Sequence, residues 1–251
     1  MPNPFLSIII PAYNEAVRIL PTLHQVTEYL AKQQYSWEVI VADDGSTDKT
    51  GDLVSTFIRE VAGVTLLSLP HRGKGGAVRA GMLQAQGEYR FLCDADLSMP
   101  IEQIERFLPP QLEGFEIALG SREVFGARRI DEPSRRHIMG RIFNWLVRAL
   151  AVRGIGDTQC GFKCFQREAV EVLFSRQETN GFAFDIEVLF LAQKMEMRLV
   201  EVPIDWYHMS QSKVRPMRDA FAMTKDILGV RRRASTGQYG KITPFQRSNN
   251  Q

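Results

Sequence analysis

Four short polar clusters carry the residues of this 251-residue chain that are able to do chemistry: Pro-Ala-Tyr-Asn-Glu at 11–15, Asp-Asp-Gly-Ser-Thr-Asp at 43–48, His-Arg-Gly-Lys-Gly-Gly at 71–76 and Asp-Ala-Asp at 94–96. Asp94 and Asp96 close the apolar run 89–93 and precede a loop over 97–100, so two carboxylates leave a strand end together. A hard divalent cation such as Mg²⁺ or Mn²⁺ takes oxygen ligands and keeps positions open for substrate phosphate, which suits a nucleoside-diphosphate substrate. Asp-x-Asp by itself is far more often a solvated turn than a metal site, and its neighbours give it weight. Tyr13, beside Glu15 and Asp43, offers a ring to stack on a base and oxygens to accept from an imide N–H or from ribose hydroxyls. Ser46 and Asp48 also suit a helix start with an Asx turn. Arg72 and Lys74, with the glycines around them, offer cations and bare backbone N–H groups at a helix start, favourable for phosphate. The glycine spacing of a dinucleotide fingerprint or a P-loop is not present.

The elements that must position these clusters follow from hydrophobic period. Apolar runs at 6–10, 37–42, 64–69, 89–93 and 117–119 read as strands. The stretches 19–32, 50–60, 75–85 and 101–107 between them read as helices, with Pro100 placed well for a helix start. Alternation of this kind predicts an α/β fold with a mainly parallel sheet and helices on both faces. All four clusters then fall at the carboxyl ends of strands, where ligands of such sheets bind. Beyond Gly120 the pattern loosens into an Arg-rich stretch, an amphipathic helix over 138–152, the segment 157–165, a helix over 184–195, a strand over 199–206 and a final helix near 219–230. The polar tail from Ala234 onward is expected to be flexible.

Lysine and arginine exceed aspartate and glutamate by only two, which gives no case for nucleic-acid binding. The charge is uneven, however: 122–153 and 212–233 each carry an excess of five positive charges. Solvated helix faces explain that pattern, and so does an anionic substrate or membrane surface. Three cysteines, Cys93, Cys160 and Cys164, make neither a disulfide framework nor a zinc site and fit a reducing cytosol. No signal peptide or membrane span is read, which points to a cytoplasmic protein meeting a membrane only peripherally. His71, His137 and His208 show no partner in the sequence and are taken as surface or core residues.

Taken in order, these motifs resemble family 2 glycosyltransferases of the GT-A fold, in the branch that loads a sugar onto dolichyl or another polyprenyl phosphate. The segments 72–79 (Arg-Gly-Lys-Gly-Gly-Ala-Val-Arg), 120–122 (Gly-Ser-Arg), 157–163 (Asp-Thr-Gln-Cys-Gly-Phe-Lys) and 182–187 (Phe-Ala-Phe-Asp-Ile-Glu) are similar to the β-glucosyl enzymes more than to the mannosyl ones. The resemblance implies one catalytic domain over 1–233, with a nucleotide-sugar and metal half to about residue 120 and an acceptor half after it. It implies that Pro11, Tyr13, Glu15 and Asp43 hold the nucleoside with Asp44 in support, and that Asp94 and Asp96 bind Mg²⁺ or Mn²⁺. Lys74 and Lys213 would stabilise the leaving UDP, while Arg122, Arg135, Arg136 and Gln159 would meet the acceptor phosphate. Asp185 falls where relatives acting on hydroxyl acceptors keep a general base; here it would act as base or orient the sugar. Asp185 and Glu187 are equally a carboxylate-rich first helical turn favoured by the dipole. One departure concerns the acceptor: mannosyl relatives carry serine four residues after their acceptor arginine, where this chain has Met139 after Arg135.

The expected activity is inverting transfer of glucose from UDP-glucose to a polyprenyl phosphate. Two other readings stand beside it: a transferase of the same fold with a saccharide or small-molecule hydroxyl as acceptor, and a non-catalytic nucleotide-sugar sensor.

Overall fold

Ile8, Ile9 and Ile10 lie in the middle of the first strand, and the pleat sends them to opposite sides. Ile8 and Ile10 join one apolar layer with Leu23 and Val26, while Ile9 joins another with Val78 and Met82. A sheet buried on both faces needs such continuous apolar runs. The computed structural model describes residues 3–131, 151–208 and 216–247. Arg135, Arg136, His137, Met139, Lys213 and most of the expected 138–152 helix lie outside the described residues.

Among the described residues the strands are β1 (Leu6–Ala12), β2 (Trp37–Asp43), β3 (Val64–Ser68), β4 (Tyr89–Cys93), β5 (Ile117–Ser121), β6 (Arg128–Ile130), β7 (Phe162–Gln166), β8 (Leu199–Pro203) and β9 (Asp205–Tyr207). Seven form one sheet in the order β3-β2-β1-β4-β7-β5-β8, and β6 pairs with β9 in a small second sheet. Every pairing in the large sheet is parallel except those of β7, which runs antiparallel to both β4 and β5. On one face pack α1 (Ile19–Leu30), α2 (Thr50–Phe57) and a 3₁₀ helix, Ile101–Phe107. The other face is covered by α3 (Lys74–Gln84), α4 (Arg167–Arg176), α5 (Phe184–Lys194) and α6 (Pro216–Ser235).

The predicted α/β sheet with helices on both faces is the observed architecture, and three local readings are corrected. The strand expected over 199–206 is two, β8 and β9, which belong to different sheets. Strand β7 falls in the stretch 157–165, read only as a segment, and helix α4 in the stretch after it, which was given no element. The polar tail is not loose over its described length. Tyr239 is buried and donates to Glu187, the Phe245 N–H donates to the Met195 carbonyl at 2.7 Å, and Arg247 pairs with Glu116 at 2.9 Å. A run of polar residues predicts solvation only when none of its members finds a buried partner, and Tyr239 does.

Candidate active site

Strands β1, β2, β3 and β4 run parallel, so the chain leaves all four at one edge of the sheet. A cavity of about 800 Å³ opens there, lined by Pro11, Tyr13, Glu15, Arg18, Asp44, His71, Lys74, Asp94, Asp96 and Phe182 among others. Strand β7 also serves this edge. Because it is antiparallel, with Cys93 opposite Phe162, its entry loop 157–161 arrives where β4 delivers Asp94. The sequence places the loop more than 140 residues away from Tyr13; the sheet order brings both to one edge.

The first two clusters are laced together. Asn14, in the left-handed region at φ 53°, accepts through Oδ1 from the backbone N–H groups of Thr47 and Asp48, while Ser46 and Thr50 accept from the N–H groups of Asn14 and Glu15. Asp48 accepts from the Thr50 N–H at 2.9 Å, the Asx turn expected at the start of α2. Glu15 forms an ion pair with Arg18 at 2.6 Å on the cavity wall. Asp43, expected on the nucleoside, is buried and accepts from the Ser46 hydroxyl and N–H, turning into its own loop. Asp44 is also buried and accepts from the Arg72 and Gly73 N–H groups at 2.8 and 2.9 Å and pairs with His71 Nδ1 at 2.8 Å. His71, read as a residue without a partner, therefore has two: Asp44, and the ring of Tyr13 stacked at 4.3 Å.

Lys74 opens α3, and its ammonium lies 2.6 Å from Asp94 Oδ1. Burial opposes that charge, but the carboxylates of Asp94, Asp185 and Asp96 outweigh it and raise the Lys74 pKa above the ordinary lysine value. The glycines of this turn do different work from that expected. A Cβ at Gly75 would lie 2.5 Å from the Thr179 carbonyl, and the Gly76 N–H donates to the carbonyls of Gly73 and Asn180. Their bareness admits the backbone of 179–181, so much of the expected anion cradle is already filled by protein.

Asp94 and Asp96 sit on a tight turn in which the Leu97 N–H reaches back to the Asp94 carbonyl and the Ser98 N–H to Asp96 Oδ1. Leu97 takes φ 45°, a strained conformation for a side chain of its size. Thr22 fixes the turn from α1 by donating to the Ala95 carbonyl at 2.7 Å. Gly161 faces Asp94 so closely that any Cβ there would overlap the carboxylate. Both carboxylates reach the cavity, and together they offer hard oxygen donors of the kind Mg²⁺ or Mn²⁺ accepts.

Behind this wall Asp185, selected in the sequence, is paired with a lysine that was given no role there. Lys163, on β7, is 1% exposed; its ammonium meets Asp185 Oδ1 at 2.7 Å and also donates to the Cys160 carbonyl. The signal was a lysine inside the apolar run Phe162 to Phe165. Burial raises the Asp185 pKa even against the opposing charges of Lys163 and Lys74. Glu187, two residues along, accepts from the Glu178 and Thr179 N–H groups and from Arg233.

On the expected acceptor side, Arg122 grips the fully buried Asp157 with two N–H groups, at 2.6 and 2.9 Å, and lies over the Trp206 ring at 5.4 Å. Burial alone would raise the Asp157 pKa, but the Arg122 guanidinium takes it down to about 2. Gln159 is half-buried, with its amide 3.6 Å from the Met223 sulfur. Among the described residues, Arg122 and Gln159 stand apart from those lining the cavity.

A largely parallel sheet that delivers an aromatic ring, acids and a lysine to one edge is the architecture of the GT-A glycosyltransferases. Glucosyl-3-phosphoglycerate synthase from Mycobacterium tuberculosis, solved with UDP, superposes with a TM-score of 0.65 over 90% of this chain and 78% of that one, at 19% identity. The same enzyme with Mn²⁺, UDP and glucosyl-3-phosphoglycerate gives 0.64.

The sequence carries the relation further. Residues 7–174 match the family model described as glycosyl transferase family 2. Dolichyl-phosphate β-glucosyltransferases are similar over nearly the whole chain: that of Dictyostelium discoideum is 35% identical over 94% of this chain and 76% of its own length. That of Homo sapiens is 35% identical over 95% and 78%, and that of Saccharomyces cerevisiae 34% over 94% and 76%. This chain belongs to glycosyltransferase family 2.

Proposed function

We propose that this protein transfers glucose from UDP-glucose to dolichyl or another polyprenyl phosphate, giving a β-linked polyprenyl-phosphate sugar. The observation that carries this reading is the similarity, at about one residue in three and over more than 90% of the chain, to enzymes named for that reaction. The cavity suits it: Tyr13 supplies a ring for the base, Glu15 an oxygen for ribose, and Lys74 a cation where the diphosphate would lie beside Asp94 and Asp96.

An acceptor phosphate oxygen attacks the anomeric carbon opposite UDP, so the C–O bond to UDP breaks as the new one forms and the configuration inverts. The acceptor is anionic at neutral pH and needs no deprotonation, so positioning and relief of charge on the departing β-phosphate account for most of the acceleration. Mg²⁺ or Mn²⁺, held by Asp94 and Asp96, would supply further positive charge to that diphosphate. Lys74 reaches the same place, and Lys213 is assigned there as a second cation. Asp185, paired with Lys163 and outside the cavity lining, orients the donor side of the site and is not required as a base.

Arg122, Arg135, Arg136 and Gln159 are assigned to the acceptor. For Arg122 this means that the phosphate meets a guanidinium already oriented by Asp157. The lipid tail stays in its membrane, so the protein works at the surface, with the basic stretches 122–153 and 212–233 toward anionic headgroups. Among the described residues no helix is long and apolar enough to cross a membrane.

The test is radiolabel transfer from UDP-glucose into an organic-extractable, mild-acid-labile product, with polyprenyl phosphate and Mg²⁺ or Mn²⁺ present and Asp96→Ala as blank. Label in the lipid phase, absent from the blank, is the expected result. Release of UDP with all label left in water would overturn the acceptor assignment.

A further inference from the structure

We infer that His71 is a positioning residue for the nucleobase: its imidazole backs the Tyr13 ring and, through Asp44, ties the base platform to the turn that presents Lys74. The inference rests on the proposed nucleotide-sugar reading and adds to it a residue and a coupling.

Three observations carry it. The Tyr13 and His71 rings lie 4.3 Å apart and 17° from parallel, a stacked pair, and both line the cavity. Two rings so close leave no room for a base between them, since a sandwiched base needs about twice that separation. The base must then meet the pair from outside, and with Tyr13 as the proposed platform His71 is its support. Second, His71 is held at its edge by Asp44 Oδ2 at 2.8 Å, and Asp44 is only 3% exposed. An ionised carboxylate only accepts, so Nδ1 of His71 carries the proton and donates it, which fixes the ring plane. Third, the same carboxylate accepts from the Arg72 and Gly73 N–H groups, immediately before Lys74. Asp44 thus sets the imidazole on one side and the start of α3 on the other.

Gly73 shows how little freedom that turn has. It adopts φ 117°, and a Cβ there would lie 2.6 Å from the Asn180 carbonyl. The turn is pinned from outside by 179–181 and from inside by Asp44. A ring held by Asp44 is therefore held at a fixed offset from the Lys74 ammonium, and base and diphosphate are read against one common anchor.

The two roles separate by experiment. Full-length wild type, His71→Ala, His71→Phe and Asp44→Asn are titrated calorimetrically with UDP, uridine and inorganic pyrophosphate. His71→Ala should weaken UDP and uridine by the same factor, about fivefold to tenfold, and leave pyrophosphate unchanged. His71→Phe, which keeps the stacked ring and loses only the bond to Asp44, should recover part but not all of the lost UDP and uridine affinity. Asp44→Asn should weaken UDP and pyrophosphate together.

Equal losses for UDP and pyrophosphate in His71→Ala would overturn the inference, because His71 would then only hold the loop. Unchanged uridine binding in His71→Ala, or a phenylalanine variant no better than alanine, would overturn it as well. Should wild type bind GDP in preference to UDP, the donor reading falls, and the same variants scored on GDP and guanosine decide the role of His71 separately.

Discussion

At Gly161 a missing side chain makes room for a functional one. The Asp94 carboxylate occupies the space where a Cβ would stand, and the Asp94–Lys74 contact depends on that position. Gly161→Ala should therefore leave a folded protein with Asp94 displaced. Transfer activity is expected to fall at least about a hundredfold, a loss of the size seen when a charge-stabilising group is misplaced, with thermal stability reduced only modestly. Activity within a few-fold of wild type would show that Asp94 does not need its observed place. The buried pair Lys163–Asp185 behaves differently. Lys163→Met strands a carboxylate in the interior and should cost about 3 kcal/mol in urea unfolding, while Lys163→Met with Asp185→Leu should recover most of it. Were the double variant no more stable than the single one, the pair would not be the source of the loss. Asp185→Asn distinguishes the acceptor classes: a phosphate acceptor should keep most of its rate, and a hydroxyl acceptor should lose far more.

At the scale of the element, β7 decides what the second half of the chain contributes. Its antiparallel direction puts the 157–161 loop beside β4, where Asp157 anchors Arg122 at the end of β5. Asp157 titrates near 2 in the folded protein against an ordinary value of 3.8, so the folded state favours its ionised form. The resulting stabilisation, about 2 kcal/mol, is complete above pH 4 and is lost as pH falls from about 4 toward 2. Urea midpoints measured across that window should fall less steeply for Asp157→Asn than for wild type; identical slopes would remove the assignment. Neither β7 nor α4 was legible beforehand. The run 162–166 interrupts its apolar residues with Lys163, and α4 spreads Ala169, Val170, Leu173 and Phe174 over barely two turns between charged residues. Both patterns are too short to stand out, and both are stabilised by what they pack against. The longer runs β1 and β2 were plain, because a strand buried on both faces tolerates few polar residues.

At the scale of the whole molecule, the C-terminal segment acts as a brace reaching the site from behind. Tyr239 and Arg233 converge on Glu187, which holds the Glu178 and Thr179 N–H groups; the 179–181 backbone in turn packs on the glycine turn before α3. Tyr239→Ala removes a buried ring and one partner of Glu187, and should cost about 3 kcal/mol. Through that chain of contacts it should also weaken pyrophosphate binding. A variant stable to within 1 kcal/mol, with unaltered pyrophosphate affinity, would show that the brace does not reach Lys74.

By itself the sequence determined the layered α/β sheet and the four clusters at its carboxyl edge, because hydrophobic period and strand exits are local properties that composition writes directly. It also brought Tyr13, Glu15, Lys74, Asp94 and Asp96 together, since parallel strands must end on one side. Only the tertiary structure decided how those side chains are held. His71 finds Asp44 27 residues away, Lys163 finds Asp185 22 residues away, and Tyr239 finds Glu187 52 residues away. Each partnership depends on which backbones lie side by side, and no local pattern encodes that. The loose reading of the tail and the isolated reading of His71 share this cause: a polar residue shows its type in the sequence, but its partner exists only after the chain has folded.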